Sequence, residues 1–105
     1  MAFKSGFTMA TYVVLGNFTD QGIRSVKDTT KRADALKELA RSLGVTIKDI
    51  YWTLGQYDTV IIVDASDEMA LTALGLAFGK AGNHRTQTLR AFSQAEMNAI
   101  LSKVQ

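Results

Sequence analysis

Apolar positions along the chain follow two rhythms, one of period two and one of period three to four. The alternation between them lays out the elements. Thr11-Tyr-Val-Val-Leu-Gly-Asn-Phe18 is rich in β-branched and aromatic residues and predicts a strand. Thr19 and Asp20 then offer capping oxygens. Ile23, Val26, Thr30, Ala33, Leu36, Leu39, Ala40 and Leu43 recur at three and four, the spacing of one helix face, until Gly44 ends the run. Gly22 and Asp28-Thr29-Thr30 weaken its first half, so a break near Asp28 is expected. Thr46–Leu54 and Tyr57–Val63 predict two strands, and the short Gly55-Gln56 link makes them a hairpin. Ser66-Asp67-Glu68 opens a second helix with acids in its first turn. Its expected buried stripe is Met69, Ala70, Ala73, Leu74, Ala77, Phe78 and Ala81, and Gly82 closes it. Asn83–Phe92 reads as a fourth strand. Ser93 and Glu96 form a capping-box pattern ahead of a last helix carrying Met97, Ile100, Leu101 and Val104.

The order β-α-β-β-α-β plus one helix is the split βαβ arrangement of a ferredoxin-like sandwich, an α+β fold with a four-stranded antiparallel sheet. One domain over residues 9–105 is expected. Met9-Ala-Thr11 reads as an alternative start, which makes residues 1–8 an expected flexible extension. The first and third strands should be central, and both carry unbroken apolar runs, Tyr12–Leu15 and Val60–Val63. A continuous run means both sheet faces are covered. Four side chains, for instance Tyr12, Val14, Ile61 and Val63, would then point away from the helices. Burying each stabilises by roughly 1.5–3 kcal/mol. Together they amount to about 6–12 kcal/mol, comparable to the whole net stability of a domain. The terminal helix has too short a stripe to cover them, so a second copy packed sheet to sheet is the expected cover.

Composition narrows the function classes. Twelve basic and ten acidic residues give a net charge of +2 over 105 residues, 47% of them apolar. The one local basic cluster, Lys27, Lys31, Arg32 and Lys37, is interleaved with Asp28, Asp34 and Glu38, the pattern of a solvated helix face. No one-sided basic stripe for nucleic acid is visible. The lack of cysteine excludes disulfides, cysteine-ligated zinc and iron–sulfur clusters. The apolar-rich Ala70–Phe78 stretch is too short to span a bilayer. A cytoplasmic protein with neither metal nor cofactor, and without nucleic-acid or membrane partners, is expected.

Leu54-Gly-Gln-Tyr-Asp-Thr-Val60 resembles the Gly-x-Tyr-Asp signature of GYD-domain proteins. Asn17-Phe-Thr-Asp-Gln-Gly-Ile-Arg24, with Lys27, Asp28 and Arg32 after it, is similar to the same family, as is Gly82–Phe92 to its last strand. The resemblance covers nearly all of Met9–Ser102. It implies a ferredoxin-like domain in a dimeric α/β-barrel-like assembly, and it implies no reaction.

Six residues are candidates for a ligand site between the sheet and a partner subunit: Tyr12, Trp52, Tyr57, Asp58, His84 and Arg90. Tyr57 and Asp58 supply a phenol and a carboxylate for binding or proton transfer, or simply shape the turn after Gly55. Tyr12 and Trp52, with Tyr51, could stack on a planar ligand or fill a core. His84, the sole histidine, reads as an exposed strand-end residue unless it serves as a base or an axial haem ligand. Arg90 suits an anionic group, or an ion pair with Asp49, Asp58 or Asp64, and should lie opposite Arg85 on the strand. Arg24 and Arg32 read as solvated, though either could border a cleft beside the first strand. Gly75 and Gly79 predict close packing of the second helix. The favoured function is a homo-oligomeric small-molecule-binding protein, taking a small anionic or aromatic ligand. The alternatives are a small enzyme of the cofactor-free oxygenase, isomerase or haem-handling type, and a regulatory or scaffolding module.

Overall fold

A computed structural model describes residues 9–105; the expected extension over 1–8 lies outside the described residues. Strand β1 (Ala10–Phe18) runs up the middle of the sheet and leads through Thr19 into α1 (Asp20–Arg24). A 3₁₀ turn (Val26–Asp28) then separates α1 from α2 (Thr29–Ser42), so the helical segment breaks where Asp28-Thr29-Thr30 predicted. Strands β2 (Thr46–Trp52) and β3 (Thr59–Ala65) form the hairpin, followed by α3 (Glu68–Lys80), β4 (His84–Ala91) and α4 (Gln94–Leu101). The spatial order is β2-β3-β1-β4, with every neighbouring pair antiparallel. This is the ferredoxin-like arrangement, and β1 and β3 are central as expected.

Local chemistry sets the element ends. The Thr19 hydroxyl accepts from Gly22 N, Asp67 accepts from Met69 N, and Ser93 and Glu96 complete a reciprocal capping box. Gly44 and Gly82 end α2 and α3 at φ of 75° and 87°, a left-handed conformation that side chains resist.

Register decides which apolar residues meet the helices. Tyr12 pairs with Val63 and Val14 with Ile61, so these four share a face. Tyr12, Ile61 and Val63 form the buried core with Leu36 and Ala40 of α2 and Leu74 of α3, and Val14 packs against it. The expectation that this set points away from the helices is therefore reversed. The far face carries the other half of the alternation: Val13 beside Ile62 and Leu89, and Leu15 beside Val60, with Tyr51 beyond it. The unbroken apolar runs showed that both faces were apolar, but only packing against α2 and α3 assigned the parity.

Two helices depart from expectation. No described residue comes within 4 Å of a Cβ built on Gly75 or Gly79, so they mark no close packing there, and Met69 and Leu76 of α3 lie in solvent. Helix α4 leans on no other element beyond marginal contact, leaving Met97, Leu101 and Val104 exposed.

Candidate functional site

The β1–α1 corner is tied to the α3–β4 link, and that tie buries His84. Thr19 N donates to Asn83 O at 3.1 Å, and Thr19 Oγ1 to Gly82 O at 2.6 Å. Gln21 Nε2 donates to Ala81 O and Asn83 Oδ1. Gly22 sits so close that an added Cβ would lie 2.0 Å from Asn83 O. His84, paired with Phe18 at the start of β4, is thereby enclosed, stacked at 4.6 Å on Phe78 and tilted at 4.9 Å from Phe18. It is 5% exposed, not the solvated strand-end residue expected, because two aromatic rings close over it. Burial, and secondarily the Arg32 charge, push its pKa below the ordinary value, while Asp58 pulls the other way. The imidazole is therefore neutral near pH 7.

Beside it lies Thr59, 3% exposed, in space left by Gly16, where an added Cβ would come within 2.5 Å of the Thr59 hydroxyl. Arg32 of α2 reaches the same place. Its Nη1 donates to Ser25 O at 2.9 Å and Ser25 Oγ at 3.1 Å, and Nη2 to Gly22 O at a long 3.4 Å. Arg32 is thus partly buried rather than solvated. Trp52 Nε1 donates to Thr29 Oγ1 at 3.0 Å and forms one wall. Arg32, Trp52, Thr59, Phe78 and His84 all line a single narrow cleft between α2 and the sheet. Three buried polar atoms there, Arg32 Nε, Thr59 Oγ1 and His84 Nδ1, have no hydrogen-bond partner among the described residues. Buried polar atoms are normally paired, so three orphans in one cleft are unusual.

The other end of the helix-covered face is polar but satisfied. Tyr12 OH donates to Glu68 Oε2 at 2.9 Å. Burial first, then the Glu68 carboxylate, raises the phenol's pKa above its ordinary value, and Arg90 partly opposes this. Arg90 lies 4.4 Å over the Phe92 ring and 5.7 Å over Tyr12, and its ion pair is with Glu96 at 3.6 Å rather than with Asp49, Asp58 or Asp64.

The hairpin signature acts on backbone. Gly55 takes a positive φ of 104°. Asp58 N donates to Gly16 O and Asp58 Oδ2 accepts from Phe18 N at 2.9 Å, which fixes the end of β1. Tyr57 reaches Gln87 at 3.4 Å across the open face.

The six predicted site residues therefore do not converge. Trp52 and His84 share the helix-side cleft, Asp58 holds the end of β1, Tyr12 and Arg90 sit at the opposite end, and Tyr57 lies on the open face. Sequence reasoning missed Thr29 and Thr59, and gave Arg32 only as a solvated charge that could border a cleft beside the first strand. The available signal was spacing: Arg32 stands four residues before Leu36 and eight before Ala40, on the buried stripe of α2. Among the described residues no three His, Asp or Glu side chains gather to hold a metal ion, and no helix is long and apolar enough to cross a membrane.

Comparison with known proteins gives three findings. The family model described as GYD domain matches residues 12–101. A protein of Thermus thermophilus named glutamine synthetase and cystathionine beta-lyase binding protein is 34% identical over 94 residues, spanning 89% of this chain and 99% of the relative. The crystal structure of MtbAldR superposes with a TM-score of 0.63 at 12% identity, over 81% of this chain. The chain spans about half the length of that structure, 52%, and the likeness shows the fold alone.

Proposed function

The chain belongs to the GYD domain family, and from that premise we propose that it is a homo-oligomeric binding protein: two copies pack open face to open face, and the assembly works by docking other proteins. One observation carries this reading. The uncovered sheet face presents Val13, Leu15, Val60, Ile62 and Leu89 as one contiguous patch, with Tyr51 at its edge, 55% exposed. Contiguous apolar surface of this kind marks an interaction site on a soluble domain. A sheet face meets its own copy about a two-fold axis, so each apolar row buries another. Val13 and Leu15 lie on the central β1, which puts the axis near the middle of the sheet. The outer faces of the helices stay free for a further partner, and α3 contributes Met69 and Leu76 there. The name of the Thermus relative supports protein partners and makes glutamine synthetase and cystathionine β-lyase the first two to try.

Sedimentation velocity tests the first half. The wild-type chain should run as a dimer or larger at micromolar concentration, and Leu15→Lys combined with Ile62→Glu should run as a monomer with unchanged helical circular dichroism. A wild-type monomer with the patch in water sinks the proposal. Surface-immobilised chain should then retain one of the two named enzymes and lose it on dissociation of the dimer.

A further inference from the structure

We propose that the cleft beneath α2 is a binding site for a small carboxylate with a short apolar tail, its head held by Arg32, Thr59 and His84. The site lies on the helix-covered side of the sheet, so it is independent of the self-association surface. The head group follows from the orphaned atoms. Arg32 spends Nη1 on both Ser25 acceptors, while among the described residues Nε has no partner and Nη2 has only the long contact to Gly22 O. The Nε–Nη2 edge of the guanidinium is thus the edge left over, and that edge takes a carboxylate through two parallel hydrogen bonds. Thr59 Oγ1 is a donor in search of an acceptor. A neutral imidazole whose Nδ1 bears the proton donates a further bond. All three residues line the one cleft, and Arg32 contributes the positive charge that a desolvated anion requires.

The tail follows from what surrounds the head. Leu36, Phe78 and Arg32 line both this cleft and an adjoining, wider groove between α2 and α3. Beyond those shared residues the groove is walled by Ala35, Leu39, Ala77 and Ala81, with Asn83 at its one polar point. Small side chains on both helices leave a channel with no further charge to satisfy, suited to a few aliphatic carbons. A second carboxylate or an ammonium on the ligand would be left unpaired there and is disfavoured.

Trp52 is the single tryptophan of the chain and lines the cleft, so its fluorescence reports occupancy. Butyrate titrated into the full chain should give a saturable change, and the isosteric amide butyramide should give none. Thr59→Val, which replaces an unpartnered hydroxyl by a methyl of the same shape, should weaken butyrate by about tenfold, the loss expected of one hydrogen bond to a charged group. Arg32→Gln should abolish the response. If Arg32→Gln fails to fold, Thr59→Val carries the test alone. No saturable change with butyrate, an equal change with butyramide, or equal butyrate affinity in Thr59→Val would each overturn the proposal and leave a bridging water as the occupant of the cleft.

Discussion

The two ends of the helix-covered face bury polar side chains in opposite ways. At one end Tyr12 reaches the Glu68 carboxylate at 2.9 Å, and Arg90 lies across Tyr12 and Phe92 with Glu96 as its ion-pair partner. At the other, His84 and Thr59 are as deeply buried as Tyr12, yet His84 Nδ1, Thr59 Oγ1 and Arg32 Nε have no hydrogen-bond partner among the described residues. The first end is a structural device, a polar tip that lets an aromatic ring fill the core. The second forgoes hydrogen bonds inside a low-dielectric region, where an unmade bond costs about 1–3 kcal/mol. Unequal satisfaction at equal depth separates a site from a scaffold more sharply than residue type does.

The contrast can be broken most severely from the His84 end. Gly22→Ala would force a Cβ against the Asn83 carbonyl, a backbone atom that cannot step aside. A loss of about 3 kcal/mol is expected, read as a lowered urea midpoint at constant slope. Acidification comes next. His84 is held below its ordinary value of 6.5 by burial and by Arg32, against the opposing Asp58. Between that folded value and 6.5 the unfolded chain binds the proton that the native one refuses. Stability is therefore full above pH 6.5 and falls as the pH drops below it. Urea midpoints measured from about pH 8 down to pH 5 should show this slope, and His84→Gln should flatten it.

Milder substitutions sharpen the comparison. Tyr12→Phe removes one bond to a carboxylate that solvent can reach, and should cost about 1 kcal/mol by urea denaturation. Thr59→Val removes a hydroxyl that bonds none of the described residues, so its stability should match the wild type within about 0.5 kcal/mol, or exceed it. A clear destabilisation by Thr59→Val would mean that the hydroxyl has a partner after all, and the asymmetry between the two ends would disappear.

Much of the architecture could be read directly from the chain. Capping at Thr19, Asp67 and Ser93 is local chemistry, encoded within four residues, and the helix starts followed from it. Gly44 and Gly82 ended their helices for a reason visible in one residue, the positive φ that glycine alone adopts freely. The break at Asp28 showed as a run of poor helix formers. The site was less legible. Trp52 and His84 were singled out and do share a cleft, but His84 was read as exposed because Phe18 and Phe78, the rings that cover it, lie 66 and 6 residues away in the chain. Arg32 passed for a solvated charge because its neighbours in sequence are charged, whereas its neighbours in space are not.

The sequence by itself determined the elements, their order and the presence of apolar residues on both faces of β1 and β3, since these depend on backbone propensity and on periods of two and 3.6. Only the tertiary structure decided which parity faces the helices and which polar atoms go unpartnered. Strand parity turns on register against β3, where a shift of one residue exchanges the faces. Hydrogen-bond satisfaction depends on atoms brought together from α2, β3 and β4, and no local window of the chain contains all three.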